Sequence, residues 1–389
     1  MGDKKTVHFG GWYQRTTLHL TEIFEFLSKG ISRLDLSKKE LERLHKLLDL
    51  KSVTREIGNL EYVKVETKSG IEIRYYEDGL YILEVVSDEI ETAEDKIKNY
   101  FDQYFSPAIN YIFSLGAPTP KILSDIQENH QVVISFYDDS PNTFKVNKKY
   151  GELYSETHSK DFSVYKTEDY IFLIAKRGQK SDVKKLVEMQ IFFREFKDQL
   201  HKYLNIHRKI WEEIAAIKEK KYVDGNEVVD YRNKLDGYKK TIELINNRIN
   251  QMGAYANTRA SLAKELGIES SMVELFRYRF EDLLNTLSYI KEIWKMTMDY
   301  VNMAINRMTE IEGKATQSGI RSIQILASIG VVSAIITYLS KDTLPSLSKT
   351  GAIYLVILGV SAFLVDFVMK KRAKNKKYKI NFAEVTKKI

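Results

Sequence analysis

Apolar and polar positions change their period along the chain, and the changes mark its organisation. Over the first 180 residues, short helical and strand patterns alternate. Leu18, Leu20, Ile23, Phe24 and Leu27 form one face of a helix predicted over Thr16–Lys29. Ser37 with Glu40 three residues on is spaced as a capping box, opening a second helix through Leu50. Strand composition follows at Tyr62–Glu66, Ile71–Tyr76 and Leu80–Val86, with turns at Lys68–Gly70 and at Asp78–Gly79, a hairpin signal. Asp88 and Glu91 are spaced as a cap for a helix through Phe113. Strands resume at Val132–Tyr137, Phe144–Val146, Phe162–Tyr165 and Tyr170–Ala175. This pattern predicts an α+β domain, a sheet covered by helices.

From Ser181 the texture becomes helical, and no proline occurs between Pro141 and Pro345. Ser181–Tyr222 reads as one helix, Asp224–Gly225 as a turn, and a second helix continues to about Met252. Gly253–Gly267 reads as a smaller helical connection. A third helix starts near Ser271. Its seam is Phe276, Phe280, Leu283, Leu287, Ile290, Trp294, Thr297, Val301, Ala304, Met308 and Ile311, in steps of three and four. That is a coiled-coil-like seam. Only Gly313 and Gly319 lie before the next apolar run, so one helix of about 65–70 residues is expected to continue into it. Its length predicts partners for the seam, hence parallel helices in a homo-oligomer. An intramolecular three-helix bundle is the alternative.

Ser322–Leu339 runs eighteen positions without a charge, and Gly351–Met369 runs nineteen with Asp366 alone. Helices crossing a bilayer need about 20 mostly apolar residues. A short polar turn with Asp342 and Pro345 separates the two runs, which predicts a two-helix transmembrane hairpin, about 321–340 and 351–369.

Charge gives the orientation. The net charge is +7, but Lys370–Ile389 alone carries +8, so the preceding 369 residues sum to −1. Six basic residues, Lys370, Lys371, Arg372, Lys374, Lys376 and Lys377, and then Lys379, crowd the exit of the second run, whereas the turn offers Lys341 and Lys349. An excess of Lys and Arg marks the cytoplasmic side. Both termini are therefore expected in the cytoplasm at a cell membrane, with the six basic residues at lipid headgroups. A nucleic acid is not the expected partner, because the basicity is a tail. The sequence Met1–Lys5 leads into polar sequence, so no signal peptide is expected. The absence of cysteine excludes disulfides, thiolate metal sites and a cysteine nucleophile. The expected organisation is a cytoplasmic α+β domain over 1–180, a long-helix stalk over 181–320, a transmembrane hairpin over 321–371 and a basic tail over 372–389.

Candidate chemistry is sparse. The seven histidines form no His-Glu-x-x-His pair, and no phosphate-binding glycine loop or nucleophile elbow occurs, so no catalytic residues are expected. Asp88, Glu89, Glu91, Glu94 and Asp95 suit either a divalent ion or a solvated first helical turn. Gly10, Gly11 and Trp12, with Tyr75, Tyr76 and Tyr81, suit either a ligand pocket or strand packing. In the first membrane run Gln317, Arg321, Gln324 and Ser328 share a stripe that Val331, Ile335 and Tyr338 continue. A pore so lined has a polar mouth and an apolar constriction, the kind that gates by dewetting. Alternatively Arg321 snorkels to headgroups.

The order of α+β domain, stalk helix continuing into the first of two C-terminal spans, and basic tail resembles the CorA family of divalent-cation channels. The resemblance is sharpest over Asn302–Lys379, where Asn306, Arg307, Met308, Thr309 and Glu310 precede the first span and Lys370, Lys371 and Arg372 follow the second. It implies a homopentamer whose first span lines the pore, conducting a divalent cation such as magnesium. The family's Gly-Met-Asn signature is absent: the corresponding stretch is Thr337, Tyr338, Leu339, Ser340, Lys341 and Asp342. Members without that signature that accompany type III CRISPR systems resemble it too, which implies a membrane effector opened by a nucleotide second messenger. A third reading is a non-conducting membrane scaffold.

Overall fold

The computed structural model describes residues 4–13, 19–58, 60–113, 131–178, 183–220, 222–225 and 227–339, then 353, 356–357, 359–361, 363–364, 367–368, 371, 375 and 377–379. Its contacts divide the chain into two units, one of residues 1–206 with 245–292, the other of 207–244 with 293–389. The division cuts across the expected boundary at 180, since residues 183–206 of the first long helix pack with the sheet.

Among the described residues the first unit holds a nine-stranded sheet, ordered β2-β3-β4-β5-β1-β6-β9-β8-β7. The strands are β1 (Lys5–Trp12), β2 (Leu50–Glu56), β3 (Tyr62–Thr67), β4 (Glu72–Tyr76), β5 (Leu80–Ser87), β6 (Val132–Asp138), β7 (Ser155–His158), β8 (Phe162–Lys166) and β9 (Tyr170–Lys176). All neighbours are antiparallel except β6 and β9. One face buries Val7, Val63, Ile73, Leu83, Ile134 and Phe172 with the helices α1 (Leu20–Lys29), α2 (Lys38–Leu47), α3 (Ile90–Tyr100) and α4 (Ser106–Ile112) in one hydrophobic core. A π-turn over Phe101–Phe105 joins α3 to α4.

The central strand β1 is not among the expected strands, and its glycines are the reason. A Cβ at Gly10 would stand 2.7 Å from the Tyr81 carbonyl oxygen and 3.2 Å from Ile191. Close approach, not a turn, selects the glycine. β2 begins at Leu50, where a helix was expected to end, and Phe144–Val146 is no strand but lies between two short 3-10 turns, Pro141–Thr143 and Lys148–Tyr150. Ser37 is the N-cap of α2, but its side chain makes no capping bond, and Glu40 pairs with Arg43 instead. The cap of α3 falls at Glu89, whose carboxylate takes the Thr92 hydroxyl bond.

The described residues continue with the helices α5 (Val183–Glu219), α6 (Glu227–Glu265), α7 (Glu269–Phe276) and α8 (Phe280–Leu339). α6 runs through Gly253 without a break, correcting the expected stop: in the first unit a Cβ there would lie 3.3 Å from Leu287, so the glycine serves close packing. The third long helix starts at Phe280, because Arg277 takes a left-handed φ of 58° and ends α7. Every expected seam residue from Phe276 to Ile311 is buried within the single chain. The seam therefore has cover of its own, and it does not by itself require a second copy.

In the second unit β10 (Tyr222–Asp224) pairs antiparallel with β11 (Lys377–Lys379). The run Ser322–Leu339 is the last part of α8, and the described residues of the second run are helical. The intervening 340–350, with Asp342 and Pro345, lie outside the described residues, as does Asp366. Among the described residues no helix is long and apolar enough to cross a membrane.

Candidate functional site

The expected pore stripe lies on α8. Gln317, Gln324, Ser328 and Val331 are exposed on it, and the Ser328 hydroxyl donates to the Gln324 carbonyl at 2.8 Å. Arg321, Ile335 and Tyr338 are helical residues whose side chains lie outside the described ones. Of the basic cluster, Lys371 and Lys377 are described and exposed, whereas Lys370, Arg372, Lys374 and Lys376 are not described. Lys377 opens β11 and stands opposite Asp224.

Sequence reasoning missed a buried ionic network in the first unit, between the second sheet face and α5. In β1, β4 and β5 the register aligns His8 with Glu84 and Glu84 with Glu72. Two carboxylates facing each other repel. Lys184 and Arg74 offset this: Lys184 Nζ contacts Glu84 and lies 3.7 Å from Glu72, and Arg74 Nη2 donates to Glu84 Oε2 at 2.8 Å. His8 Nε2 bonds the Ser135 hydroxyl at 2.9 Å, and its Nδ1 lies 3.3 Å from Glu84. From α5, Glu188 accepts the Tyr76 hydroxyl bond at 2.6 Å and an Arg259 Nη1 bond at 2.9 Å. Arg259, from α6, also grips Asp78 and stacks over Tyr76 and Phe192 at 5.0 and 4.7 Å from the ring centres.

Electrostatics keep these groups in fixed states. Burial pushes the His8 imidazole below its ordinary value, outweighing the attraction of Glu84. Burial alone would raise the Glu84 carboxyl, but His8, Arg74 and Lys184 hold it well below the usual carboxylate range. Glu188 is also lowered, its burial offset by Arg259, Lys185 and Arg74. Arginines and carboxylates pair with one another here, so the network fastens α5 and α6 to the sheet. Its members occupy alternate strand positions, which read in sequence as a solvent face. The available signal was in α5: Leu186, Val187, Met189, Ile191, Phe192 and Phe193 are apolar all round the helix, and all are buried.

The other candidates resolve into packing. Trp12 stacks on Phe196 with ring centres 5.5 Å apart, Tyr75 and Tyr81 belong to the hydrophobic core, and Tyr76 belongs to the network. Glu91 pairs with Lys149, and Glu94 with Lys98 and the Tyr170 hydroxyl. Among the described residues no three His, Asp or Glu side chains could hold a metal ion. Glu156, His158 and Ser163 form a hydrogen-bonded chain of 2.8 and 3.0 Å, but the Ser163 side chain is buried and donates to Asn142, so no nucleophile is presented. Beside it an open cleft of about 920 Å³ is lined by Asn142, Phe144, Lys145, Lys148, Glu152 and Tyr165.

No family model and no curated protein matches the chain. Among solved structures it is similar to the CorA magnesium transporter from Methanocaldococcus jannaschii, at 10% identity over 63% of this chain and 91% of that one, with a TM-score of 0.28. A similarity of that size assigns the chain to no family.

Proposed function

We propose that the chain is a multi-pass membrane protein without enzymatic activity, an oligomeric ion channel of CorA-like organisation governed by its cytoplasmic part. A change of exposure along one helix supports this reading. From Phe280 to Ile311 the apolar seam of α8 is buried, but beyond it Ile320, Val331 and Val332 are 50%, 58% and 54% exposed. In the second run the exposed apolar residues, from Ile353 to Val368, are 46–70% exposed. Apolar surface of this extent needs cover, and lipid together with further copies of the chain supplies it. A pentamer with α8 around the axis would place Gln317, Arg321, Gln324 and Ser328 at the cytoplasmic mouth and Val331, Ile335 and Tyr338 at the constriction. Without Gly-Met-Asn, magnesium selectivity is not part of the proposal.

Ion flux into liposomes holding the purified oligomer tests it, with magnesium, potassium and chloride compared in the presence and absence of nucleotides. Flux that requires a nucleotide makes the protein a ligand-gated effector; magnesium-selective flux without one makes it a transporter. Silence under every condition rejects conduction and leaves a scaffold.

A further inference from the structure

The basic tail does not simply trail from the second apolar run. The Asn375 amide donates to the Lys371 carbonyl at 3.1 Å in a closing turn, and two residues later β11 begins. There Lys377 stands opposite Asp224, Tyr378 opposite Val223, and Lys379 opposite Tyr222. The side chains alternate accordingly: Val223 is buried, whereas Lys377 and Lys379 face outward with Tyr222, which is 55% exposed. β10 sits in the connection between α5 and α6. The pairing thus joins the end of the chain to a loop more than 150 positions earlier.

Two strands of three residues each are marginal, since isolated two-stranded pairs barely hold in water. The bond that closes this pair is helped by one acidic residue facing a lysine. The same lysines are drawn to anionic headgroups, each by about fivefold in binding. The two attachments compete.

We propose that β11 is a detachable strap: pairing with β10 holds the tail on the α5–α6 connection, and an anionic lipid surface takes Lys377 and Lys379 away from it. This rests on the membrane reading above. It adds a lipid-dependent link between the membrane-proximal tail and the long helices.

The chain has no cysteine, so Tyr222→Cys/Lys379→Cys introduces the only two thiols. In detergent, oxidation of the full-length protein is expected to give an intramolecular disulfide. The control Tyr222→Cys/Tyr378→Cys, whose side chains point to opposite sides, is expected to yield at least fivefold less. In vesicles of phosphatidylcholine the disulfide should persist. In an equal mixture with phosphatidylglycerol its yield should fall by about fivefold, the pull of a single lysine. Lys377 remains for the lipid in this variant. Asp224→Lys, placed in the thiol pair, should release the strap even in phosphatidylcholine, and Asp224→Lys/Lys377→Asp should restore it. Flotation with the vesicles is measured in the same samples. Protein that floats but cross-links equally in both lipids overturns the strap while leaving the membrane reading intact. Protein that does not float overturns both. A disulfide formed only between copies, or none in detergent, also overturns the strap.

Discussion

Arg259 and Asp78 form a fully buried, two-point ion pair, Nε to Oδ2 at 2.6 Å and Nη2 to Oδ1 at 3.2 Å, between positions 181 apart in sequence. Asp78 also accepts the Leu80 amide, at 3.1 Å, within the β4–β5 turn. One carboxylate therefore fixes both the hairpin and the arrival of α6. A guanidinium suits this place because its fork reaches Asp78 and Glu188 together, which the point charge of a lysine cannot do.

Arg259→Met leaves Asp78 and Glu188 buried with a lost partner. Breaking a buried pair from one side costs about 3–5 kcal/mol. Thermal unfolding followed by circular dichroism should show this loss. Arg259→Lys should recover only part of it. The triple change Arg259→Met/Asp78→Asn/Glu188→Gln should be more stable than Arg259→Met alone, since no buried charge is then left bare.

Acid should weaken the first unit in two stages. Unfolded, His8 takes up a proton below about 6.5, whereas folded it stays neutral to lower pH because of its burial. Acidification through 6.5 therefore favours the unfolded chain. Glu84 and Glu188 have folded values below the ordinary 4.5, so the stability they contribute is complete above 4.5 and is lost as pH falls through their folded values. A denaturation midpoint measured against pH should slope downward below 6.5 and more steeply below 4.5. His8→Gln should flatten the first stage and reduce the second only in part, because Arg74 and Lys184 still lower Glu84 and Glu188 keeps its own partners.

Gly79→Ala tests the geometry of the turn that presents Asp78. Gly79 has a φ of +87°, and a Cβ there would come within 2.2 Å of the Tyr13 carbonyl oxygen. Both the dihedral and the space forbid a side chain, so the loss should exceed about 1 kcal/mol. Gly70→Ala, at φ +83° with open space around it, should cost less in the same unfolding assay.

These elements differ in how far the sequence disclosed them. β3 alternates cleanly, β4 and β5 are rich in apolar and aromatic residues, and Gly70 and Asp78–Gly79 join the three, so composition and turn chemistry agree. The α8 seam was legible residue by residue, because steps of three and four survive over many turns. What covers it was not, since period says which face is buried and nothing about by what. β1 was hidden by Gly10 and Gly11, and the reason for Gly10 lies in the Tyr81 carbonyl of the neighbouring strand and in Ile191 of a distant helix. Arg259 was hidden as well. A lone arginine on a polar-looking helix carries no mark of the two carboxylates it meets.

Trp294→Ala should test the seam in the second unit. Trp294 is fully buried on α8, edge-on to the His207 ring at 5.5 Å, and His207 Nε2 in turn bonds the Thr297 hydroxyl at 2.7 Å. Emptying such a site costs about 3–5 kcal/mol. The loss should appear in thermal unfolding without change in the apolar runs beyond Ile311, which vesicle flotation of the same variant would show.

The stripe on α8 makes the sharpest demand of the channel proposal. If Val331 belongs to an apolar constriction, water leaves that segment at rest, and ions are stopped by the cost of entering it dry. Val331→Ser would wet the segment and should raise flux through unstimulated liposomes by about tenfold or more, an effect worth about 1.4 kcal/mol of barrier. Val332→Ser, one position on and turned about 100° from the stripe, should leave flux unchanged. Cysteine at Gln324 or Ser328 should let a charged thiol reagent added from the cytoplasmic side block the flux. Equal behaviour of Val331→Ser and Val332→Ser would remove the stripe from the pore, whatever the protein conducts.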